Sequence, residues 1–280
     1  MLAKCVGFNY EECRHKKEEM DRIPLKYLAP NAITCAGLTL GMVSGFQTMT
    51  GDYWSAAWFI LMCVLFDKAD GSVARFLNAT SDFGVQLDSF SDFLTFGIAP
   101  AFLVHGLLSD PEVTGGLFTK SAVLLWGLRV SIIVFVLASC LRLAKFNVLT
   151  EKIGSGIFLG FPTTLCGALI GSYILTALKY EWALETLVIL PFALLILSLL
   201  MVSNLRLPKA KAPTHPVLKW SMILIVTSVY ICGLTWTAPE YLLGVVVTFI
   251  VGGILYGIIY LPKASFFDEE TIEESPAASS

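Results

Sequence analysis

The sequence predicts an all-α protein, a polytopic membrane bundle of about eight transmembrane helices. Of its 280 residues, 56% are hydrophobic and only 15% are charged, and the mean hydropathy is +0.73. A soluble domain of this size carries about 25% charged residues. Apolar stretches of about 20 residues, the length that crosses a bilayer as a helix, recur along the chain. No basic aromatic-rich face indicates nucleic-acid binding, and no Walker or Rossmann glycine pattern is present.

The predicted spans form one membrane domain, residues 30–262, in which Pro30 begins the first span. A cytoplasmic or interfacial segment, residues 1–29, precedes it, and an acidic tail, residues 263–280, has a composition typical of disorder. In the first span Gly37, Gly41 and Gly45 repeat every four residues, a spacing that lets another helix approach closely. The eight spans lie near residues 31–50, 54–77, 84–108, 119–145, 156–178, 184–204, 218–236 and 240–261.

The distribution of cations predicts the orientation of the chain. If the N-terminus is cytoplasmic, 16 of the 19 Lys and Arg residues lie on or near the cytoplasmic side. This is the bias that cytoplasmic loops of membrane proteins show. We therefore expect a multi-pass protein of the inner or plasma membrane. The facing ends of spans 2 and 3 are then cytoplasmic.

Those two ends carry four carboxylates. Asp67 and Asp70, at i and i+3, end one apolar run, and Asp88 and Asp92, at i and i+4, open the next. Both spacings place side chains on one helix face, so two facing helices bring four acids together. Four uncompensated charges at a membrane edge repel each other, and all-oxygen ligand sets suit Mg²⁺, Mn²⁺ or Ca²⁺. The sequence therefore predicts a site for one or two divalent metal ions.

Small residues and one cation lie beside the predicted metal site. Gly71, Ala74 and Arg75 follow Asp67 at i+4, i+7 and i+8 and share its helix face. The two small residues leave space for a flat ligand, and the guanidinium of Arg75 suits a phosphate oxygen. Together these features favour a metal-bound pyrophosphate as the ligand.

The pattern Asp67-x-x-Asp70-Gly71-x-x-Ala74-Arg75, followed by Gly84-x-x-x-Asp88-x-x-x-Asp92, resembles the signature of the CDP-alcohol phosphatidyltransferases. The resemblance implies transfer of a phosphatidyl group from CDP-diacylglycerol to an alcohol, with release of CMP. It implies that the four aspartates hold one or two Mg²⁺ or Mn²⁺ ions and that Asp92 is also the general base. The residues that it places at CDP-diacylglycerol are Asn31, Thr34, Gly71, Ala74, Arg75 and Ser81.

Longer segments resemble one branch of that family, the bacterial and archaeal membrane-type phosphatidylserine synthases. They are LDSFSDFLTFGIAPA (87–101), CLRLAKFN (140–147), GFPTT (160–164) and MVSNLR (201–206). The likeness departs slightly at Thr95 and at Thr163-Thr164. It implies L-serine as the acceptor, a membrane lipid as the donor and a homodimer. Arg142 and Lys145, at i and i+3, with Asn147 nearby, are the candidate acceptor-binding residues.

Alternatives to this interpretation remain at the level of the sequence. Another acceptor, such as glycerol 3-phosphate, inositol phosphate or choline, would use the same chemistry, and the donor could carry archaeal ether chains. A function of a different class is cation-coupled transport with the acids as an ion site. Such transporters are built from inverted repeats with broken helices near mid-membrane, and the sequence shows no such repeat.

Overall fold

The computed structural model describes residues 25–153, 157–182, 184–203, 206–208 and 216–260. The predicted disordered tail and the first 24 residues of the predicted N-terminal segment lie outside this range. Nearly all described residues are helical, as predicted. The only strands in this part of the chain are two of three residues each, which pair antiparallel with Phe158 opposite Leu207.

The elements follow one another in a simple order along the chain. They are α1 (Leu25–Met49), α2 (Tyr53–Phe76), α3 (Asp82–Asp92), a π-helical segment (Phe93–Ile98), α4 (Ala99–Ser109), α5 (Pro111–Thr114), α6 (Leu117–Lys120), α7 (Ala122–Ile153), β1 (Ile157–Leu159), α8 (Thr163–Lys179), α9 (Leu184–Leu187), α10 (Leu190–Val202), β2 (Arg206–Pro208), α11 (Pro216–Thr235) and α12 (Pro239–Tyr260).

The helices coincide with the eight predicted spans, and the outer surface of the bundle is rich in exposed large apolar side chains. Such a surface suits lipid, and the chain is a multi-pass membrane protein. Within the described residues, four helical stretches are long and apolar enough to cross a bilayer by themselves. They are Asp82–Ser109, Ala122–Val148, Leu184–Val202 and Pro239–Tyr256. Eight membrane crossings therefore remain a prediction.

The ends of three predicted spans differ from the structure. The fourth span was expected to end at residue 145, but α7 continues to Ile153. Helix α1 begins at Leu25, so Pro30 lies inside the helix and does not begin it. As the sixth residue of the helix, Pro30 removes one intrahelical hydrogen bond and its ring crowds the carbonyl of Lys26, an arrangement that favours a kink at this point. The fifth span was expected from residue 156, but β1 occupies 157–159 and α8 begins at Thr163. Gly160 makes this possible, because its φ is +78° and a Cβ there would lie 2.6 Å from the carbonyl oxygen of Met201.

The π-helical segment directly follows Asp92 and contacts α1, α7 and α8. Two glycines of the neighbouring helices α1 and α8 receive its side chains. A Cβ on Gly41 would lie 2.6 Å from Thr95 Cγ2, and one on Gly167 would lie 2.7 Å from Phe96 Cδ1. These two notches fix the helix immediately after its last acidic residue.

The space around the three glycines of α1 corrects part of the prediction that all of them let another helix approach closely. Gly41 is in tight contact, as described, and a Cβ on Gly37 would lie 3.4 Å from Phe66 Cβ. Gly45 has nothing among the described residues within 4 Å of the position of a Cβ. Gly37 and Gly41 therefore serve packing within the chain, and Gly45 does not.

Gly41→Ala should lower the unfolding temperature in detergent by several degrees, whereas Gly45→Ala should leave it unchanged or raise it. Both changes gain about 0.5–1 kcal/mol of helix propensity. Only Gly41→Ala also overpacks the notch, at a typical cost of about 1–3 kcal/mol. The measurement is thermal unfolding of both purified variants. An equal response of the two would show that the π-helical segment does not depend on this notch.

Candidate active site

Three helices hold the acidic cluster. Asp67 and Asp70 lie in the last three turns of α2, Asp88 and Asp92 lie in α3, and α1 packs against both helices. A short turn, residues 77–81, joins α2 to α3. The Ser81 hydroxyl caps α3 by accepting a hydrogen bond from the Gly84 N–H at 3.1 Å. Capping of this kind fixes where a helix starts, and so fixes where Asp88 lies relative to α2.

Three of the four predicted metal ligands come together. Asp67, Asp70 and Asp88 each offer a carboxylate oxygen, and the three oxygens lie within 4.8 Å of one another. Two full charges 4.8 Å apart repel by about 3.5 kcal/mol at an effective dielectric constant of about 20. Asp92 lines the same small cavity but is outside this triad. Its position one turn beyond Asp88, about 6 Å along the helix, accounts for the difference.

The oxygens of the triad fit a hard divalent cation. Asp70 is buried, and its Oδ2 accepts a hydrogen bond from the Thr34 hydroxyl at 2.7 Å. Asp67 Oδ2 and Asp88 Oδ1 are buried without a hydrogen-bond partner among the described residues. The Lys68 ammonium lies 3.4 Å from Asp67 Oδ2, but its side chain is 69% exposed. Buried carboxylate oxygens with unused lone pairs are the donors that Mg²⁺ and Mn²⁺ prefer.

An open cleft of about 160 Å³ adjoins the triad. Thr34, Asp70 and Asp88 line both the cleft and the small metal-site cavity, so the two spaces share a wall. All six residues predicted to bind the lipid nucleotide line this cleft: Asn31, Thr34, Gly71, Ala74, Arg75 and Ser81. The sequence thus identified one continuous surface from residues that are up to 50 positions apart.

Glycine is needed at one point of the cleft wall. A Cβ on Gly84 would lie 3.2 Å from Ser81 Oγ and 3.3 Å from Asn31 Oδ1, so a larger residue would push both polar groups aside. Arg75 is exposed at the cleft, and its guanidinium lies near Gly71, with Nη1 3.6 Å from where a Cβ on that glycine would be. The cleft therefore presents polar groups and the exposed guanidinium of Arg75 beside the acids.

The three predicted acceptor-binding residues lie in different environments. Arg142 is 7% exposed, interacts electrostatically with Asp92 and Asp67, and donates from Nη1 to the Thr163 hydroxyl at 2.9 Å. Lys145 is half-buried one turn further along α7. Asn147 donates from Nδ2 to the Ser89 hydroxyl at 3.0 Å and so joins α7 to α3. The structure thus places Arg142 near the acids, and Asn147 forms a hydrogen bond between α7 and α3.

Sequence reasoning missed several residues of the site. Ser91, Thr95 and Phe96 line the metal-site cavity, and Lys68 lies beside Asp67. Ser91 and Thr95 follow Asp88 at i+3 and i+7, so their shared helix face was a usable signal. The position of Lys68 gave no such signal. It directly follows Asp67 in the sequence, and adjacent residues of a helix do not share a face.

Comparison with known proteins identifies the family. The sequence profile described as CDP-alcohol phosphatidyltransferase matches residues 27–200, which is more than half of the chain and includes all four aspartates. The chain belongs to the CDP-alcohol phosphatidyltransferase family. It is therefore a phosphotransferase, and this family is divalent-metal dependent, in accord with the triad.

Three similar proteins from bacteria and an archaeon have names that refer to serine or to a serine-containing lipid. The chain is 33% identical over 236 residues to the CDP-diacylglycerol–serine O-phosphatidyltransferase of Helicobacter pylori strain 26695, covering 83% of this chain and 90% of that protein. The enzyme of the same name from Bacillus subtilis is 31% identical over 65% of this chain and 90% of its own length. An archaetidylserine synthase from Methanothermobacter thermautotrophicus is 31% identical over 64% of this chain and 69% of its own length.

Asp70→Asn should weaken Mn²⁺ binding to the purified protein by about tenfold or more, equivalent to about 1.4 kcal/mol. The amide keeps the shape and can still accept from Thr34, but it removes a full charge from the triad. The measurement is Mn²⁺ titration followed by electron paramagnetic resonance. Asp82→Asn is the matched control, because Asp82 is an exposed acid in the first turn of α3. Equal loss in both variants would contradict a specific triad site.

Proposed function

We propose that this protein transfers a phosphatidyl group from CDP-diacylglycerol to the hydroxyl of L-serine, giving phosphatidylserine and CMP. The observation that carries the proposal is a continuous site, in which the cleft and the triad share a wall and buried Arg142 interacts electrostatically with Asp92 and Asp67. The names of the similar proteins from Helicobacter pylori and Bacillus subtilis support serine as the acceptor. The archaetidylserine synthase supports the same acceptor with another lipid, so an ether-linked donor is the second candidate for the lipid.

The donor binds with its CDP group in the cleft. Arg75 pairs with the pyrophosphate, since a guanidinium donates two parallel hydrogen bonds to phosphate oxygens. Asn31 and Ser81 present polar groups to the nucleotide, and Gly71 and Ala74 leave space for it. The acyl chains remain in the membrane beside the exposed apolar faces of the helices.

Asp67, Asp70 and Asp88, with help from Asp92, hold one or two divalent ions, which we propose to be Mg²⁺ or Mn²⁺. A metal ion held there would supply positive charge to offset the charge of the pyrophosphate and of the departing CMP. Thr34 holds the Asp70 carboxylate in place through its 2.7 Å hydrogen bond to Oδ2, and the Gly71 N–H donates to Oδ1. Each oxygen keeps a second lone pair that a metal ion could use.

Asp92 is the proposed general base. It accepts the proton of the serine hydroxyl, and the serine oxygen forms a bond to the phosphorus attached to diacylglycerol. The bond from that phosphorus to the bridging oxygen of CMP breaks, and CMP leaves with the bonding electrons. The position of Asp92 supports this role, because it lines the metal-site cavity yet is outside the triad.

Arg142 is the proposed partner of the serine carboxylate, with Lys145 as a second cation on the same helix. Arg142 is buried near Asp92, and a buried guanidinium is costly unless an anion accompanies it. A glycerophosphate acceptor carries a dianionic phosphate and would favour more cations than these two. Asn147 remains a proposed acceptor-binding residue. Its side chain is hydrogen-bonded to Ser89 of α3, so it would act on the acceptor through the position of that helix.

Purified protein with CDP-diacylglycerol should incorporate radiolabelled L-serine into lipid, in preference to glycerol 3-phosphate, inositol phosphate or choline. Arg142→Ala should raise the serine KM by about ten- to a hundredfold, because a charge-assisted hydrogen bond contributes about 1.5–3 kcal/mol. Arg129→Ala is the control on the same helix, since Arg129 is exposed over the Trp126 ring. Preferred use of another alcohol by the wild-type protein would refute serine as the acceptor.

We further propose that the N-terminus and the active site face the cytoplasm, where cytidine nucleotides are available. The positive-inside distribution of Lys and Arg supports this orientation. We also propose that the protein is a homodimer, and the support for this is its resemblance to the family.

In a variant without native cysteines, Asp82→Cys should react with an impermeant thiol reagent only from the cytoplasmic side. Glu112→Cys should react only from outside. Both residues are exposed, and they flank the continuous helical stretch Asp82–Ser109, whose 28 residues span about 40 Å. Labelling of sealed vesicles of known orientation is the measurement. The reverse pattern would place the active site away from its nucleotide.

A further inference from the structure

Arg142 has more donors than the protein uses. Its side chain is 7% exposed, its Nη1 donates to Thr163 Oγ1 at 2.9 Å, and its Nε is buried with no hydrogen-bond partner in the described part of the chain. The Phe146 ring lies 5.6 Å from its guanidinium carbon and covers one face. Among the charged groups that act on this guanidinium, Asp92 has the largest effect. No ion pair within 4 Å joins Arg142 to Asp92 in the described part of the chain. A buried donor without a partner costs about 1–3 kcal/mol, so a ligand that satisfies it gains affinity.

The Thr163 hydroxyl selects which edge of the guanidinium stays available. Nη1 lies on the side of the arginine stem, so a hydrogen bond there leaves the edge formed by Nε and Nη2. That edge binds a carboxylate through two parallel hydrogen bonds. L-serine carries its carboxylate on Cα and its hydroxyl on the adjacent Cβ, so a single molecule presents an anion that suits Arg142 and a hydroxyl whose proton suits Asp92.

Thr163 has no evident structural task that competes with this contact. It is the first residue of α8, Pro162 occupies the N-cap position, and no side-chain capping hydrogen bond is formed there. Its side chain is fully buried, and Arg142 is the residue to which its hydroxyl is bonded. A fully buried hydroxyl at a helix start that contacts a single guanidinium points to orientation of that guanidinium.

We propose that Thr163 is a positioning residue that orients Arg142 so that its Nε–Nη2 edge receives the carboxylate of the acceptor. The inference rests on the proposed function, because it takes serine as the molecule that brings the carboxylate. Thr163 contacts neither the reacting hydroxyl nor the phosphorus. Its removal should therefore affect serine binding and leave the binding of CDP-diacylglycerol and the chemical step nearly unchanged.

The test is steady-state kinetics of Thr163→Val, varying each substrate in turn. Valine keeps the branched shape and loses only the hydroxyl, so the serine KM should rise about tenfold, the effect of about 1.4 kcal/mol. The KM of CDP-diacylglycerol and kcat should change by less than about threefold, well under one such decade. Thr163→Ser, which restores the hydroxyl, should return the serine KM to near the wild-type value. Thr164→Val is the matched control, because it removes a hydroxyl from the neighbouring residue, which is only half-buried.

The outcomes separate the two proposals. If the wild-type protein does not use serine, the proposed function fails, and this inference fails with it. If serine is used and Thr163→Val leaves its KM unchanged, only the positioning role is overturned. A parallel rise of both KM values that Thr163→Ser does not reverse would also overturn it and assign Thr163 to packing. Should Thr163→Val not yield a monodisperse protein, Thr163→Ala removes the same hydroxyl and the same expectations apply.

Discussion

Repulsion among carboxylates at one end of a helical bundle is the constraint on which the rest of this structure depends. Three aspartate oxygens lie within 4.8 Å of one another, and a fourth aspartate lines the same cavity. Such a cluster is unfavourable unless cations accompany it, and two cations of the described residues, Lys68 and Arg142, offset the repulsion only in part. Lys68 is largely exposed, and Arg142 makes no direct ion pair with the acids among the described residues. The site is thus suited to divalent metal ions, which offset the charge of its carboxylates.

The scaffold keeps this unfavourable arrangement in place through packing. Helix α1 contacts both acid-bearing helices and supplies Thr34 to Asp70. The π-helical segment that follows Asp92 fits into notches at Gly41 and Gly167 and so resists sliding of α3. A bundle in which small residues set the positions of helices can hold acids closer than their charges would otherwise allow.

The sequence predicted the features that depend on local periodicity. Apolar length predicted helical segments near those of the structure, although the third predicted span is divided into α3, the π-helical segment and α4. Residue spacing placed Asp67, Asp70 and Asp88 together. It could not predict the π-helical segment or the strand pair, because neither has a compositional signal strong enough to oppose a helical pattern. The partners of Arg142 and Asn147 also escaped prediction. Thr163 and Ser89 are 21 and 58 residues away in sequence, and only tertiary packing brings them close.

The central claim is that the aspartate triad and the adjoining cleft form one site, in which triad-bound metal meets the pyrophosphate of the lipid nucleotide. The most direct test is electron–nuclear double resonance between protein-bound Mn²⁺ and ³¹P in the complex with CDP-diacylglycerol. The account predicts strong ³¹P coupling that appears with the lipid nucleotide and is lost in Asp70→Asn. Tight Mn²⁺ binding without any ³¹P coupling, or coupling that persists in Asp70→Asn, would contradict it.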